Sequence, residues 1–320
     1  MKHKDFYRIY VCLLIVFLIC SAVTYKQIFK DKEIIVSPLP NFLTAFANNQ
    51  VSTLNLWSPF FDFFKEATNK IPVISAKSAL VYDLTYERVL FSKNPSRKLP
   101  MASLTKIMTA IVAIESGNVD DKYSVFSENL VGENSMGLSI GETLTLKELL
   151  YGLILTSGND AAETLAGNFP KGRVQFIIAM NNKAKALGLK DTHFTNPTGL
   201  EGDGDQYTTA YDLLVVTNYA LQSSLFKEVA GTFIYNIPYS ENHKAFYLEN
   251  ETNLISSYPG VFGVKDGYTP EAGLCLVTYF NYKGHKIIGV ILGSDNRRQE
   301  MKDLLDYGLK LQGINPPPHE

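Results

Sequence analysis

Strand patterns at both ends of the folded region, with helical patterns between them, restrict the fold of this chain more than any other feature. Ala79-Leu80-Val81-Tyr82-Asp83-Leu84 and Arg88-Val89-Leu90-Phe91-Ser92 flank the polar stretch Thr85 to Glu87, a β-hairpin pattern. Leu274 to Tyr279 and Lys286 to Leu292 are apolar strand segments joined through Lys283-Gly284, and Met301, Leu304, Leu305 and Leu309 mark a final amphipathic helix. Between the two strand regions, Ser103 opens a helical stripe of Ile107, Ala110, Ile111 and Ile114, with no Pro or Gly until Gly117. Further helical segments run through Thr145 to Thr156, Asp160 to Ala166, Val174 to Ala186 and Ala210 to Leu221. A sheet drawn from both chain ends with a helical insertion implies one α+β domain over about 76–312. Hairpin connections make that sheet antiparallel, and the cleft falls between sheet and helical part.

Composition excludes some function classes. The 320 residues are 46% hydrophobic and 19% charged, enough for a buried core and too apolar for a disordered chain. Lys plus Arg total 30 against 32 for Asp plus Glu, so no basic field exists to hold a phosphate backbone, and nucleic acid is not an expected partner. Cys12 and Cys20 fall in an N-terminal apolar run and leave Cys275 alone in the folded part, so no intramolecular disulfide framework can form. Cys275 sits inside an apolar strand and reads as a small core residue.

The compartment is read from the N-terminus. Lys2, Lys4 and Arg8 precede an uncharged run from Tyr10 to Tyr25, an asymmetry that keeps the N-terminus cytoplasmic and exports the remainder of the chain. As a helix this run spans about 24 Å, against a hydrocarbon core of about 30 Å. Residues 1–25 are therefore a cleaved signal or a signal anchor, with Cys20-Ser21-Ala22 as the candidate cleavage triplet. Residues 26–75 read as a linker with one apolar knot, Leu54 to Phe64, which either rests on the membrane surface or packs as a short helix on the domain. Residues 313–320, with Pro316, Pro317 and Pro318, read as a disordered tail.

Ser103-Leu104-Thr105-Lys106 places a hydroxyl and an amine three residues apart at a helix start, where i and i+3 share a face. A desolvated lysine beside a second cation can accept the serine proton and make the oxygen a nucleophile. Alone the pattern is common, and its bland reading is an N-cap serine beside a surface lysine. Two further segments give it weight: Ser157-Gly158-Asn159-Asp160 after an apolar helix, and Lys265-Asp266-Gly267 leading into the last strands. The histidines His3, His193, His243, His285 and His319 have no metal-ligand spacing, and no G-x-S-x-G elbow occurs.

In these three segments the chain resembles the serine D-Ala-D-Ala carboxypeptidases, the low-molecular-weight penicillin-binding proteins, whose motifs are S-x-x-K, S-D-N or S-G-N, and K-T-G. The likeness extends to Pro100 to Thr109, Leu155 to Ala162, and Leu187-Gly188-Leu189 followed by Thr192 to Pro197. The resemblance implies a β-lactamase and penicillin-binding-protein-like fold, an antiparallel sheet flanked by helices with a helical insertion. It also implies Ser103 as nucleophile, Lys106 as its base, and Ser157 and Lys265 relaying protons or holding charge. Asn159 would bind the substrate peptide, and the backbone N–H groups of Ser103 and Tyr268 would form the oxyanion hole. Peptidoglycan stem peptides are the implied substrates and β-lactam antibiotics the implied acylating inhibitors, with no metal or organic cofactor. Relatives often add a C-terminal β domain and a membrane-binding helix; here anchoring is expected from the N-terminus. A β-lactamase is disfavoured by S-G-N and by the lack of an obvious deacylation glutamate motif.

The chain departs from the family pattern at Asp266, where the middle of the third motif is ordinarily Thr or Ser, whose hydroxyl helps to bind the substrate's terminal carboxylate. Two like charges about 4 Å apart repel by about 4 kcal/mol at an effective dielectric near 20, enough to offset the pull of Lys265. Three readings are open: weak but tolerable binding, specificity redirected to a substrate without that carboxylate, or an impaired peptidoglycan-binding or sensing protein. Thr269 is a candidate for the missing hydroxyl, and by the same resemblance Gly267 of the third motif belongs with Asn159, Lys265, Asp266 and Thr269 among the substrate-binding residues. Gln206 also stands where the family commonly has His.

Overall fold

The computed structural model describes residues 57–59, 70–252 and 254–319. The N-terminal apolar run, its cleavage triplet and most of the Leu54 to Phe64 knot lie outside the described residues. No helix among the described residues is long and apolar enough to cross a membrane.

The central sheet has five antiparallel strands: β1 (Ser78–Asp83), β2 (Arg88–Lys93), β7 (Val261–Thr269), β8 (Gly273–Tyr282) and β9 (His285–Ser294), in the order β2-β1-β9-β8-β7. The first strand pairs with the last, Ala79 opposite Ile291 and Val81 opposite Gly289, so the sheet is closed from both chain ends. Lys283 and Gly284 turn β8 into β9 with φ of 47° and 86°, the left-handed pair that a two-residue hairpin needs. Two shorter ribbons complete the strands: β3 (Lys122–Ser124) with β4 (Thr143–Thr145), and β5 (Ile234–Ile237) with β6 (Phe246–Glu249). These are short, half-polar pairs with weak alternation, which is why the sequence pattern does not show them.

Alternation along the sheet sends residues to two different cores. Leu80, Tyr82, Val277, Val290 and Leu292 face the helical part, whereas Ala79, Val81, Leu276, Phe280 and Ile291 face α8 (Arg297–Leu311) through Met301, Leu304, Leu305 and Leu309. Being covered on both faces, these strands read as continuous apolar runs. The helical part holds α1 (Lys106–Ser116), α2 (Leu146–Leu155), α3 (Asn159–Gly167), α4 (Gly172–Ala186), α5 (Ala210–Ala220) and α6 (Ser224–Ala230), with the single turn α7 (Leu254–Ser257) leading into β7. Helix α1 is buried on every side except at its last residue. Its far end is tied by Glu115, which bonds Lys183 of α4 at 2.5 Å and accepts the Tyr219 hydroxyl of α5 at 2.6 Å.

Three expectations are corrected. The α-helix starts at Lys106, because Ala102 to Thr105 form a tight 3-10 turn in which Ala102 has φ 49° and the Thr105 hydroxyl donates to the Ala102 carbonyl at 2.9 Å. Lys265-Asp266-Gly267 lies within β7 rather than ahead of it. The tail expected to be disordered is docked at its end: Pro317 is buried, and the His319 ring stacks on Tyr258 at 4.4 Å with Nε2 3.0 Å from Asp306. Aromatic docking gives the proline-rich end a partner that its composition does not reveal. Within the expected linker, Trp57 meets Tyr82 edge-on at 5.7 Å and the Ser58 hydroxyl lies 2.8 Å from that of Tyr211.

Candidate active site

Ser103 stands in the 3-10 turn one residue after the left-handed Ala102, a backbone state costing about 1–2 kcal/mol for a residue with a Cβ. Two glycines press on this turn. A Cβ on Gly199, whose φ is 90°, would lie 1.9 Å from the Ala102 carbonyl oxygen, and one on Gly267 would lie 2.9 Å from the Ser103 nitrogen. Only glycine lets the 196–200 loop and strand β7 close so tightly on the serine. Strand β7 is an edge of the sheet, so alternate backbone groups on its free side carry no ladder hydrogen bonds. Gly267 brings that free side against the Ser103 amide.

Lys106, at the first turn of α1, is fully buried. Its Nζ lies 2.9 Å from Ser103 Oγ, 2.7 Å from Asn159 Oδ1 and 2.8 Å from the Thr198 carbonyl. Burial, then the positive charge of Lys265, hold its pKa well below the ordinary lysine value. A neutral amine has two N–H donors and one lone pair. Asn159 Oδ1 and the Thr198 carbonyl accept the two N–H groups, which turns the lone pair to the Ser103 hydroxyl. The arrangement is that of a base hydrogen-bonded to a nucleophile.

The second segment reaches the same point from α2 and α3. Ser157 joins these helices in a left-handed conformation, φ 56°; it is buried and its hydroxyl has no hydrogen-bond partner. A buried unpaired hydroxyl is costly in a folded protein and is the kind of exception that functional sites carry. Asp160, next to Asn159, accepts from the Ser135 hydroxyl at 2.5 Å and from the amides of Met136, Gly137 and Leu138 at 2.9, 3.1 and 2.9 Å. It thereby pins the 134–138 loop against the start of α3, where the Asn159 amide donates to the Asn134 carbonyl at 2.8 Å.

On the sheet side Lys265 is fully buried and donates to Asp266 Oδ1 at 2.9 Å. The second Asp266 oxygen accepts from Arg297, the first residue of α8, at 2.5 Å, and Arg297 also donates to the Gly267 carbonyl at 2.6 Å. Burial alone would raise the Asp266 pKa, but Lys265 and Arg297 outweigh it and hold the carboxyl below its ordinary range. The repulsion reckoned from Lys265 alone therefore leaves out Arg297, which shares the charge of Asp266. Thr269 does not supply a free hydroxyl: it accepts from the Ala272 amide at 3.2 Å and its side chain bonds Glu201. Tyr268 is 61% exposed, and its backbone continues β7 directly after Gly267.

Sequence reasoning does not reach Arg297, Thr198, Gly199 or the part played by Gln206. Arg297 comes from a distant helix. Thr198 acts through its carbonyl, which no residue type announces. Gln206 Oε1 accepts from the Thr195 and Asn196 amides at 3.0 and 3.3 Å, while Asn196 Oδ1 accepts from the Thr198 and Gly199 amides at 3.1 and 2.7 Å. These side chains shape the loop whose carbonyl receives Lys106. Asn196 stands in one of the family-like stretches, which is the one signal the sequence offers for this loop.

A family model described as D-alanyl-D-alanine carboxypeptidase matches residues 65–296. The chain is 36% identical over 252 residues to the D-alanyl-D-alanine carboxypeptidase DacF of Bacillus subtilis, covering 75% of this chain and 64% of that one. It is 33% identical over 260 residues to the D-alanyl-D-alanine carboxypeptidase of Streptomyces sp. K15, with 75% and 89% covered. Among solved structures, the Streptomyces K15 DD-transpeptidase superposes with a TM-score of 0.71 at 31% identity, over 76% of this chain and all of that one. The Streptomyces fold is thus present end to end, while the chain spans just under two thirds of the Bacillus protein. With the sheet order, the serine turn and these likenesses taken together, the chain belongs to the D-alanyl-D-alanine carboxypeptidase family.

Proposed function

We propose that this protein is a serine peptidase that cleaves D-Ala-D-Ala bonds of peptidoglycan stem peptides through an acyl-enzyme on Ser103. The observation that carries the reading is the Lys106 Nζ, buried, 2.9 Å from Ser103 Oγ and held below its ordinary pKa with both N–H groups already accepted. As Ser103 Oγ bonds to the carbonyl carbon of the penultimate D-Ala, its proton passes to Lys106. The carbonyl oxygen becomes an oxyanion beside the Ser103 and Tyr268 amides, a placement supported by the close approach of Gly267 to the Ser103 nitrogen. Such donors are typically worth about 3–4 kcal/mol each. The C–N bond then breaks and the departing amine takes the proton, for which the unpaired hydroxyl of Ser157 is the relay. Water repeats the sequence on the ester, releasing the shortened peptide and restoring Ser103. Asn159 serves Lys106 through Oδ1 and offers its amide N–H groups to a substrate carbonyl, while Lys265 supplies positive charge.

By the same reading β-lactams acylate Ser103, since their strained amide meets the same nucleophile. Both the carboxypeptidase reaction and the cutting of cross-links fit this chemistry; a related protein of Pseudomonas aeruginosa, 33% identical over 208 residues, is named a D-alanyl-D-alanine endopeptidase. The charge asymmetry of the N-terminus supports action outside the cytoplasm, with residues 1–25 as signal or anchor and residues 76–312 as the peptidase domain. Release of D-Ala from a defined stem peptide tests the activity. Wild type is expected to release it and Ser103→Ala to release none; equal release by both would remove Ser103 from the reaction.

A further inference from the structure

We infer that Asp266 is a built-in carboxylate that occupies the cationic end of the cleft and selects substrates whose leaving residue has no free carboxylate, an amide or a blocked end. The inference rests on the proposed peptidase reaction and deepens it. Its basis is the ion-pair geometry on β7. Lys265 Nζ is engaged by Asp266 Oδ1 at 2.9 Å, and Arg297 is engaged by Asp266 Oδ2 at 2.5 Å and by the Gly267 carbonyl at 2.6 Å. The two cations on β7 and at the start of α8 are thus already bonded to one carboxylate. Asp266 cannot swing aside to release them, because it is 7% exposed and set in the strand between Lys265 and Gly267. Its neighbour Gly267 touches the Ser103 turn, so the pair stands within one residue of the reacting centre.

Glu251 adds to the same balance. The residue is exposed as a whole, yet its carboxyl is desolvated enough to raise its pKa, with Lys265, Lys106 and Arg297 opposing the rise and Asp266 adding to it. A second carboxyl therefore shares the field of Lys265 and Arg297, the two cations that Asp266 engages. A leaving group with its own carboxylate meets cations already bonded to Asp266, with Glu251 in the same field, whereas with threonine in place of Asp266 only Glu251 would oppose it. A neutral or amidated leaving group meets no such opposition and leaves as an amine in the ordinary way.

The test compares kcat/KM for one N-acylated peptide ending in D-Ala-D-Ala, prepared as the free acid and as the carboxamide. Wild type is expected to cleave the carboxamide at least as efficiently as the acid. Asp266→Asn, which keeps the shape and removes the charge, and Asp266→Thr are expected to shift the ratio about tenfold or more toward the acid, a change of about 1.4 kcal/mol. A wild-type preference for the acid overturns the inference even if neither variant folds, as does an unchanged ratio in variants that still take a β-lactam on Ser103. Wild type that cleaves neither peptide, together with an Asp266→Asn variant that takes no β-lactam, defeats the peptidase reading itself, a separate result.

Discussion

Two lysines face the cleft, and they are kept in opposite company. Lys106, on the helical side, is buried among a hydroxyl, an amide oxygen and a backbone carbonyl, and among the described residues it has no carboxylate in ion-pair range. Lys265, on the sheet side, is buried to the same degree but bonds Asp266, which Arg297 then clamps from behind. The first arrangement drives an amine toward its neutral form and makes a base. The second gathers charge and makes a recognition element. Burial alone assigns neither role; the partner does. The helical side is satisfied by neutral acceptors and follows the family pattern, while the sheet side carries the departure from it.

The comparison breaks most readily at the serine. Ser103→Ala is expected to lower kcat by about 10⁶-fold, read as D-Ala release, whereas Asp266→Asn retains turnover. Lys106→Met removes the base and is expected to cost about 10²–10⁴-fold in acylation rate, measured with a chromogenic β-lactam, without moving the preference between acid and amide leaving groups. If that preference moved instead, the two lysines would not divide base and recognition between them. Gly199→Ala forces a Cβ into the Ala102 carbonyl at a positive φ, and a loss of about 2–4 kcal/mol in thermal or chemical unfolding is expected. Gln206→Ala leaves two part-buried amides without their acceptor and loosens the loop that presents Thr198; it is expected to slow acylation by about tenfold and to cost about 1–3 kcal/mol in stability.

The smallest effect sharpens the sheet side by pH. Asp266 has a folded pKa below its unfolded value, about 3.9. Its stabilising contribution is therefore present above that value and is lost as pH falls through the folded pKa. Acid titration of Tm is expected to fall less steeply below about pH 4 in Asp266→Asn than in wild type. On the helical side the sign is opposite in kind. Acylation requires neutral Lys106, so its rate rises with pH through the lowered lysine pKa and then levels off below the ordinary lysine range.

Much of the frame is legible in the sequence because each part leaves a local mark. The hairpin of β1 and β2, the apolar runs of β8 and β9 and the stripe of α8 each show their period. Ser103, Lys106, Ser157, Asn159 and Lys265 lie on short motifs, and the structure brings Lys106 to both Ser103 and Asn159. The parts that escape are those that depend on closure between distant segments. Arg297 reaches Asp266 only because α8 starts beside β7, and Thr198 matters through a backbone oxygen. Gly199 and Gly267 matter through the Cβ they lack. Asp266 itself is plain in the sequence but its partner is not, so the repulsion expected of a lone carboxylate is overstated there. The packing of Pro317 and His319 against Tyr258 and Asp306 is likewise a tertiary fact about a segment whose composition suggests disorder.

Covalent trapping reads the nucleophile and its base in one experiment. The protein is incubated with benzylpenicillin across a pH series, digested, and the modified peptide mapped by mass spectrometry. One β-lactam mass is expected on the peptide that carries Ser103, absent in Ser103→Ala, forming faster as pH rises until Lys106 is neutral. No adduct in either wild type or Asp266→Asn, or an adduct on another residue that persists in Ser103→Ala, would contradict the assignment of Ser103 and Lys106 as nucleophile and base.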